Sequence, residues 1–108
     1  MTINELMKES YEIAKAHGWT EDGRTFGDHL SLMHSELSEA LEDFRKGRDL
    51  PEIYFEGEKP CGIPMELAYT VIRIAQFCYE KGIDLETALK LKANYNKTRP
   101  YRHGGKRL

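Results

Sequence analysis

The chain has 108 residues and a formal net charge of −2 at neutral pH, and this length predicts one domain, residues 1–108, with a modest core. No stretch approaches the roughly 20 apolar residues that span a bilayer, and the N-terminal segment lacks the apolar run of a signal peptide. We therefore expect a cytoplasmic protein without a membrane partner.

The charges are unevenly distributed along the chain. Residues 90–108 contain seven of the sixteen Lys and Arg residues and no Asp or Glu, so all eighteen acidic residues lie before them. A basic C-terminal segment is compatible with a nucleic acid, an anionic small molecule or a solvated chain end, and charge alone does not distinguish these. Cys61 and Cys78 form neither a C-x-x-C motif nor a zinc-ligand spacing, which predicts two ordinary thiols.

Two helices are predicted in the N-terminal half. Apolar residues recur at helical spacing over residues 3–16, and His17 and Gly18 provide a stop. The pattern is clearest over residues 25–46, where apolar side chains return every three or four residues and Gly47 follows the last turn. Both patterns are typical of helices with one apolar face.

A breaker-rich segment and two more helices complete the chain. Several Gly and Pro residues predict a loop, and no strand pattern is visible. Pro64 suits the first turn of a third helix, and Asp84 is a good N-cap for a fourth. The predicted ranges are 47–64 for the loop, 64–81 and 84–97 for the helices, and 98–108 for a basic tail. The sequence thus predicts an all-α protein.

The third helix is apolar around more than half of its circumference and carries one polar stripe. At about 100° per residue, the stripe contains Glu66, Tyr69, Arg73, Gln76 and Glu80. It faces either water or a polar cleft, and by itself it favours water. The apolar remainder exceeds what a chain of four helices covers, which predicts a homo-oligomer, either a dimer or a tetramer.

Glu36 and Glu39 stand three residues apart in the second helix and therefore lie one turn from each other. Carboxylates so placed repel, and a hard divalent cation such as Mg²⁺ relieves the repulsion. The alternative is a solvated acidic face, because Glu is a strong helix former and Glu42 and Asp43 continue the acidic run. The pair alone does not decide between them.

Three sequence segments resemble those of a known family. They are HSELSEALED at residues 34–43, GIPMELA at residues 62–68 and KANYNKTRPYRHGGK at residues 92–106. Together they make the chain, from about residue 19 to its end, resemble the MazG-like nucleoside triphosphate pyrophosphohydrolases. The closing phrase is the most specific, because its length and mixture of residue types argue against chance.

The resemblance implies a four-helix-type bundle that is completed by a partner subunit. It also implies hydrolysis of a nucleoside triphosphate to the monophosphate and pyrophosphate with Mg²⁺, or alternatively Mn²⁺. The family's metal ligands are an E-x-x-E pair, which maps onto Glu36 and Glu39, and an E-x-x-D pair, which begins at Glu66. The Asp position is occupied by Tyr69, whose phenol is a poor Mg²⁺ ligand beside carboxylates.

The implied chemistry assigns roles to further residues. Metal ions neutralise phosphate oxygens and make water more acidic, and we expect Glu39, or else Glu36, to accept the proton of the attacking water. Phosphate contacts are expected from Lys92, Asn96, Arg99, His103 and Lys106. The first three share one face of the fourth helix, and Arg binds phosphate bidentately. For Lys92 a solvated surface position is an equal alternative.

Two further residues are candidates for contact with the nucleobase. Trp19 suits stacking on a base, although closing one end of the bundle is the commoner role for such a residue. His29 lies near Glu36 by helical angle, but it is also compatible with an ordinary helix position.

The predicted function is therefore a Mg²⁺-dependent nucleotide pyrophosphohydrolase whose activity is weakened by Tyr69. The alternative is a catalytically impaired nucleotide-binding or regulatory protein of the same fold that kept the phosphate-binding segment. Nucleic-acid binding is disfavoured, because acidic helices repel a phosphate backbone and no aromatic platform alternates with the basic residues.

Overall fold

The chain is mostly helical in a computed structural model that describes residues 1–20 and 22–108. The helices are Ile3–Ala16 (α1), Phe26–Arg45 (α2), Ile63–Glu80 (α3), Leu85–Thr98 (α4) and the short Arg102–Gly105 (α5), and the strands are Tyr54–Glu56 (β1) and Lys59–Cys61 (β2). The four predicted helices are all present, and each of their ends lies within one residue of its predicted position. The all-α class is therefore confirmed.

Side-chain caps explain where α2 and α4 begin. The Thr25 hydroxyl accepts a hydrogen bond from the Asp28 amide at 3.1 Å, and the Asp28 carboxylate accepts one from the Thr25 amide at 2.9 Å. This capping box satisfies backbone groups that a helix start leaves unpaired. The Asp84 carboxylate caps α4 by accepting a hydrogen bond from the Thr87 amide at 3.1 Å. Both helix starts are therefore encoded locally.

The prediction that residues 47–64 contain no strand is wrong. β1 and β2 form an antiparallel hairpin in which Glu56 lies opposite Lys59. Gly57, with a φ angle of 64°, opens the tight turn between them. Three residues are too few to display the alternation of a strand, and Pro60 is tolerated because both strands of a two-stranded sheet are edges.

α3 is the central helix and packs against both α1 and α2. It contributes Ala75, which is 0% exposed, and Cys78 to a buried cluster that Met7 of α1 completes. On the α2 side, the centres of the Phe77 and Phe26 rings lie 5.6 Å apart. Both cysteines are free and buried, and burial raises the pKa of the Cys78 thiol, which suits a packing role.

Much apolar surface stays uncovered. Large exposed side chains on α2 and α3 include Leu37, Leu41, Phe44, Leu67 and Val71. No residue of α4, all of which the structure describes, is buried. The radius of gyration is 16.5 Å, whereas a compact chain of this length has about 13 Å. In the described part of the chain, no helix is both long and apolar enough to cross a membrane.

Gly62 joins β2 to α3 where a side chain does not fit. Its φ angle is +122°, and a Cβ atom added there would collide with the carbonyl oxygen of Glu52. We expect Gly62→Ala to destabilise the fold by about 2–4 kcal/mol, because it combines backbone strain with a main-chain clash. Unfolding in urea measures this loss.

Gly57→Ala is the matched control for this substitution. The φ angle of Gly57 is also positive, but no atom of the described residues lies within 4 Å of an added Cβ. Gly57→Ala should therefore lose only the stability that backbone strain removes, about 1–2 kcal/mol. If Gly62→Ala loses no more stability than Gly57→Ala, the predicted clash with Glu52 does not contribute.

Candidate metal centre

The contact between α2 and α3 brings three carboxylates together. One oxygen from each of Glu36, Glu39 and Glu66 lies within 4.8 Å of the other two. Glu36 is only 5% exposed, Glu66 is half-buried and Glu39 is exposed. Helical spacing places the first two on one turn, and the packing of α3 adds the third. We call these three residues the acidic cluster, which opens to solvent at Glu39.

Burial, together with the crowding of carboxylates, changes the acidity of Glu66. Burial, followed by hydrogen bonds with Glu36 and Glu39 and by their negative charge, raises the pKa of Glu66 from its ordinary 4.5 to about 7. A bound cation would favour the ionised form and relieve this crowding. Three carboxylate donors are the oxygen ligands that Mg²⁺ and Mn²⁺ prefer, so the residues present fit an ion of the predicted class.

Arg73 of α3 pairs with the cluster, a contact that the sequence pattern did not predict. Its Nε donates a hydrogen bond to Oε1 of Glu36 at 2.9 Å, and the two side chains are 21% and 7% exposed. The Arg73 guanidinium also lies 4.6 Å from the centre of the Tyr69 ring, within cation–π range. The polar stripe of α3 therefore borders a polar cleft against α2 at Glu66 and Arg73, while Tyr69 is 46% exposed.

The two candidate base-contact residues occupy different environments. A small cavity next to Arg73 is lined by Arg24, His29, Leu32, Met33, Arg73 and Gln76. His29 is buried in the contact between α2 and α3, with its ring 4.9 Å from that of Phe77. Trp19 is exposed, and the Arg24 guanidinium lies 5.4 Å from its ring centre. Arg24 thus links the exposed tryptophan to the cavity.

The predicted phosphate-binding residues gather at the end of α4. A pocket of about 330 Å³ is lined by Asn96, Arg99, Pro100, Arg102, His103, Lys106, Arg107 and Leu108. We call it the basic pocket. It contains four of the five predicted residues, whereas Lys92 lies outside it, 5.4 Å from the Tyr95 ring centre. Sequence reasoning missed Arg102 and Arg107, because the backbone turn between them brings them into the pocket.

That turn is the short element α5, and it is left-handed. Arg102–Gly105 has positive φ angles throughout, including 52° at His103 and 94° at Gly104. The Lys106 amide donates a hydrogen bond to the Arg102 carbonyl oxygen at 2.8 Å and closes the turn. Glycine adopts positive φ angles without steric cost, so the Gly-Gly pair is the sequence signal for this reversal.

The acidic cluster and the basic pocket lie on different elements. The cluster lies between α2 and α3, whereas the pocket lies at the end of α4, which packs mainly on α1. Within residues 1–20 and 22–108, no hydrogen bond or ion pair connects the two. A single chain therefore presents two separate surfaces of opposite charge.

The raised pKa of Glu66 predicts how the stability of the metal-free protein depends on pH. The folded state keeps the Glu66 proton up to about pH 7, whereas the unfolded chain loses it near 4.5. Because the folded state binds more protons in this window, the contribution of Glu66 to stability falls as the pH rises from 4.5 to 7. Urea unfolding in a chelator should show this fall in the wild type. The fall in stability should be smaller in Glu66→Gln and should be retained in Glu12→Gln, the surface control. If Glu66→Gln has the same pH profile as the wild type, the prediction is wrong.

Comparisons of the chain with protein-family models, with curated proteins and with solved structures found no match. The chemical interpretation of the cluster therefore depends on the sequence motifs and on the geometry of the three carboxylates.

Proposed function

We propose that the protein is a Mg²⁺-dependent pyrophosphohydrolase that converts a ribo- or deoxyribonucleoside triphosphate and water into the monophosphate and pyrophosphate. The observation that carries the proposal is the convergence of Glu36, Glu39 and Glu66 from two helices. The motifs that resemble the MazG-like family assign metal binding to the same three residues. A merely solvated acidic face would neither bury Glu36 nor raise the pKa of Glu66.

Each carboxylate of the cluster has a task in this proposal. Glu36, Glu39 and Glu66 hold Mg²⁺ or Mn²⁺, which when bound neutralises phosphate oxygens and makes water more acidic. Glu39 accepts the proton of the attacking water, because its exposed carboxylate is the one that solvent and substrate reach. Glu36, buried and paired with Arg73, keeps a fixed orientation.

The basic pocket supplies the phosphate contacts. Arg99 offers a planar guanidinium that binds phosphate bidentately, and Asn96, His103 and Lys106 line the same pocket. Because the pocket and the cluster lie on different elements of one chain, we propose that assembly into a homo-oligomer brings a pocket to the substrate held at a cluster.

Release of pyrophosphate tests the proposal. Purified protein is assayed with Mg²⁺ against a panel of ribo- and deoxyribonucleoside triphosphates, with pyrophosphate and inorganic phosphate measured separately. We expect pyrophosphate together with the monophosphate, and no release in excess chelator. Release of inorganic phosphate alone, or of neither product from any nucleotide, would exclude pyrophosphate hydrolysis as the function.

A second function is favoured by the residue at position 69. Tyr69 stands where the resemblance implies a carboxylate, and its ring contacts Arg73. A chain with this departure is also compatible with a nucleotide-binding or regulatory protein that no longer turns its ligand over. Binding of a nucleoside triphosphate in calorimetry, without pyrophosphate release at any Mg²⁺ concentration, would identify this alternative.

The exposed apolar surface predicts the oligomeric state. Leu67 and Val71 of α3 are 49% and 50% exposed, and the chain is less compact than a self-sufficient domain of its size. We expect sedimentation at micromolar concentration to show a dimer or a tetramer, and Val71→Glu to shift it towards monomer. Leu50→Glu, at an exposed position in the loop between α2 and β1, is the control. A stable wild-type monomer would show that these faces need no partner.

A further inference from the structure

We propose that Arg73 is a resident counter-ion of the acidic cluster, which competes with the divalent cation for Glu36 and thereby sets the metal affinity of the site. The proposal rests on the proposed function in one respect, that the cluster binds a divalent cation. Its geometric basis is the hydrogen bond from Arg73 Nε to Glu36 Oε1 at 2.9 Å. Glu36 is the most buried of the three carboxylates, and a cation that binds this oxygen competes with the guanidinium for it.

The energetic argument concerns the metal-free state. A buried carboxylate without a positive partner is costly, and here two more carboxyl groups lie close to it. Arg73 supplies the missing positive charge from the adjacent helix and holds the cluster together in the absence of metal. The same charge repels an incoming divalent cation, because at these distances two positive charges interact unfavourably even when partly screened. Arg73 therefore raises the stability of the metal-free protein and lowers its affinity for the metal.

Tyr69 keeps the guanidinium in this position. Its ring stands one turn before Arg73 on α3 and lies 4.6 Å from the guanidinium. A carboxylate at position 69 would form an ion pair with Arg73 and draw it away from Glu36. An aromatic ring attracts the guanidinium without competing for it as an anion, so Arg73 stays on Glu36. The tyrosine thus favours the metal-free arrangement.

Calorimetric titration with Mn²⁺ alone, without nucleotide, tests the competition. We expect Arg73→Gln to bind Mn²⁺ about ten- to hundredfold more tightly than the wild type, since both the competing donor and the repulsion are removed. Arg73→Lys keeps the charge and should return the affinity towards that of the wild type. Arg45→Gln removes the same charge from an exposed position on α2 and should leave the affinity unchanged.

Thermal unfolding provides a second readout. In a chelator, Arg73→Gln should unfold at a lower temperature than Arg45→Gln, and added Mn²⁺ should restore more stability to it than to the wild type. If Arg73→Gln does not fold in either condition, Tyr69→Leu decides, because loss of the ring should loosen the guanidinium and tighten Mn²⁺ binding. An unchanged affinity in Tyr69→Leu would then overturn the proposal.

The outcomes separate this inference from the proposed function. If the wild type binds Mn²⁺ and folded Arg73→Gln binds it equally or more weakly, the proposed role of Arg73 is overturned. The pyrophosphohydrolase proposal is then unaffected. Absence of Mn²⁺ binding by both proteins overturns the metal centre and the inference together.

Discussion

Replacement of Glu39 by Gln is expected to reduce Mg²⁺-dependent pyrophosphate release by about 10²- to 10⁴-fold, the range found when a general base is lost. Glu39 is the exposed carboxylate of the cluster, and the amide keeps its size while removing both the negative charge and the proton-accepting group. The fold should not suffer, since one source of repulsion with Glu36 and Glu66 disappears. Steady-state kinetics and urea unfolding on the same preparation measure both effects.

Two further variants make this result specific. Glu42→Gln, one turn further along α2 and exposed, is the matched control and should retain wild-type turnover, because Glu42 lies outside the acidic cluster and pairs with Arg45 at 3.5 Å. Glu36→Gln should abolish turnover as well, but at a cost of about 1–3 kcal/mol in stability, because the hydrogen bond from Arg73 loses its charged acceptor. Undiminished turnover in Glu39→Gln would remove Glu39 from the mechanism.

Replacement of Tyr69 by Asp is expected to raise hydrolysis at limiting Mg²⁺ by about ten- to hundredfold, which corresponds to about 1–3 kcal/mol of additional cation binding. The new carboxylate stands one turn after Glu66 and adds a fourth acid to the cluster. It also offers Arg73 an ion-pair partner four residues away on the same helix, which releases Glu36 for the cation. Activity measured across a Mg²⁺ titration checks the prediction.

The comparison with Tyr69→Asn isolates the effect of charge. Asn has nearly the shape of Asp and likewise removes the aromatic ring beside Arg73, so any gain from simply loosening Arg73 should be shared by both variants. The additional gain of Asp over Asn reports the negative charge at position 69, which acts both as a fourth carboxylate and as an ion-pair partner of Arg73. Equal or lower activity of the Asp variant at every Mg²⁺ concentration would mean that position 69 is not a vacated ligand position.

The boundaries of the helices could be predicted because the interactions that set them are local. Thr25 and Asp28 cap α2 by hydrogen bonds that close within one turn, and Asp84 does the same for α4. The hairpin escaped prediction because its strands are only three residues long. The pairing of Glu56 with Lys59 depends on a turn geometry that the sequence of such short strands does not predict.

The left-handed turn at Arg102–Gly105 and the basic pocket around it could be predicted only in part. The Gly104-Gly105 pair signals a flexible point, and four of the five predicted phosphate-binding residues do line one pocket. Whether a glycine pair extends the chain or reverses it depends on the backbone angles that the whole segment adopts. Arg102 and Arg107 could therefore not be assigned to the pocket from spacing alone.

Within the acidic cluster, the proximity of Glu36 and Glu39 follows from their spacing alone, because residues three apart share one turn in any helix. The motif resemblance already grouped Glu66 with them, but the contact itself and the ion pair between Arg73 and Glu36, 37 residues apart, depend on how α3 packs on α2. The reason is that the polar stripe of α3 meets α2 or water according to how α3 is rotated about its axis. That rotation is set by the burial of Ala75 and Cys78 against α1 and by the contacts of Phe77 with α2, which no local pattern specifies.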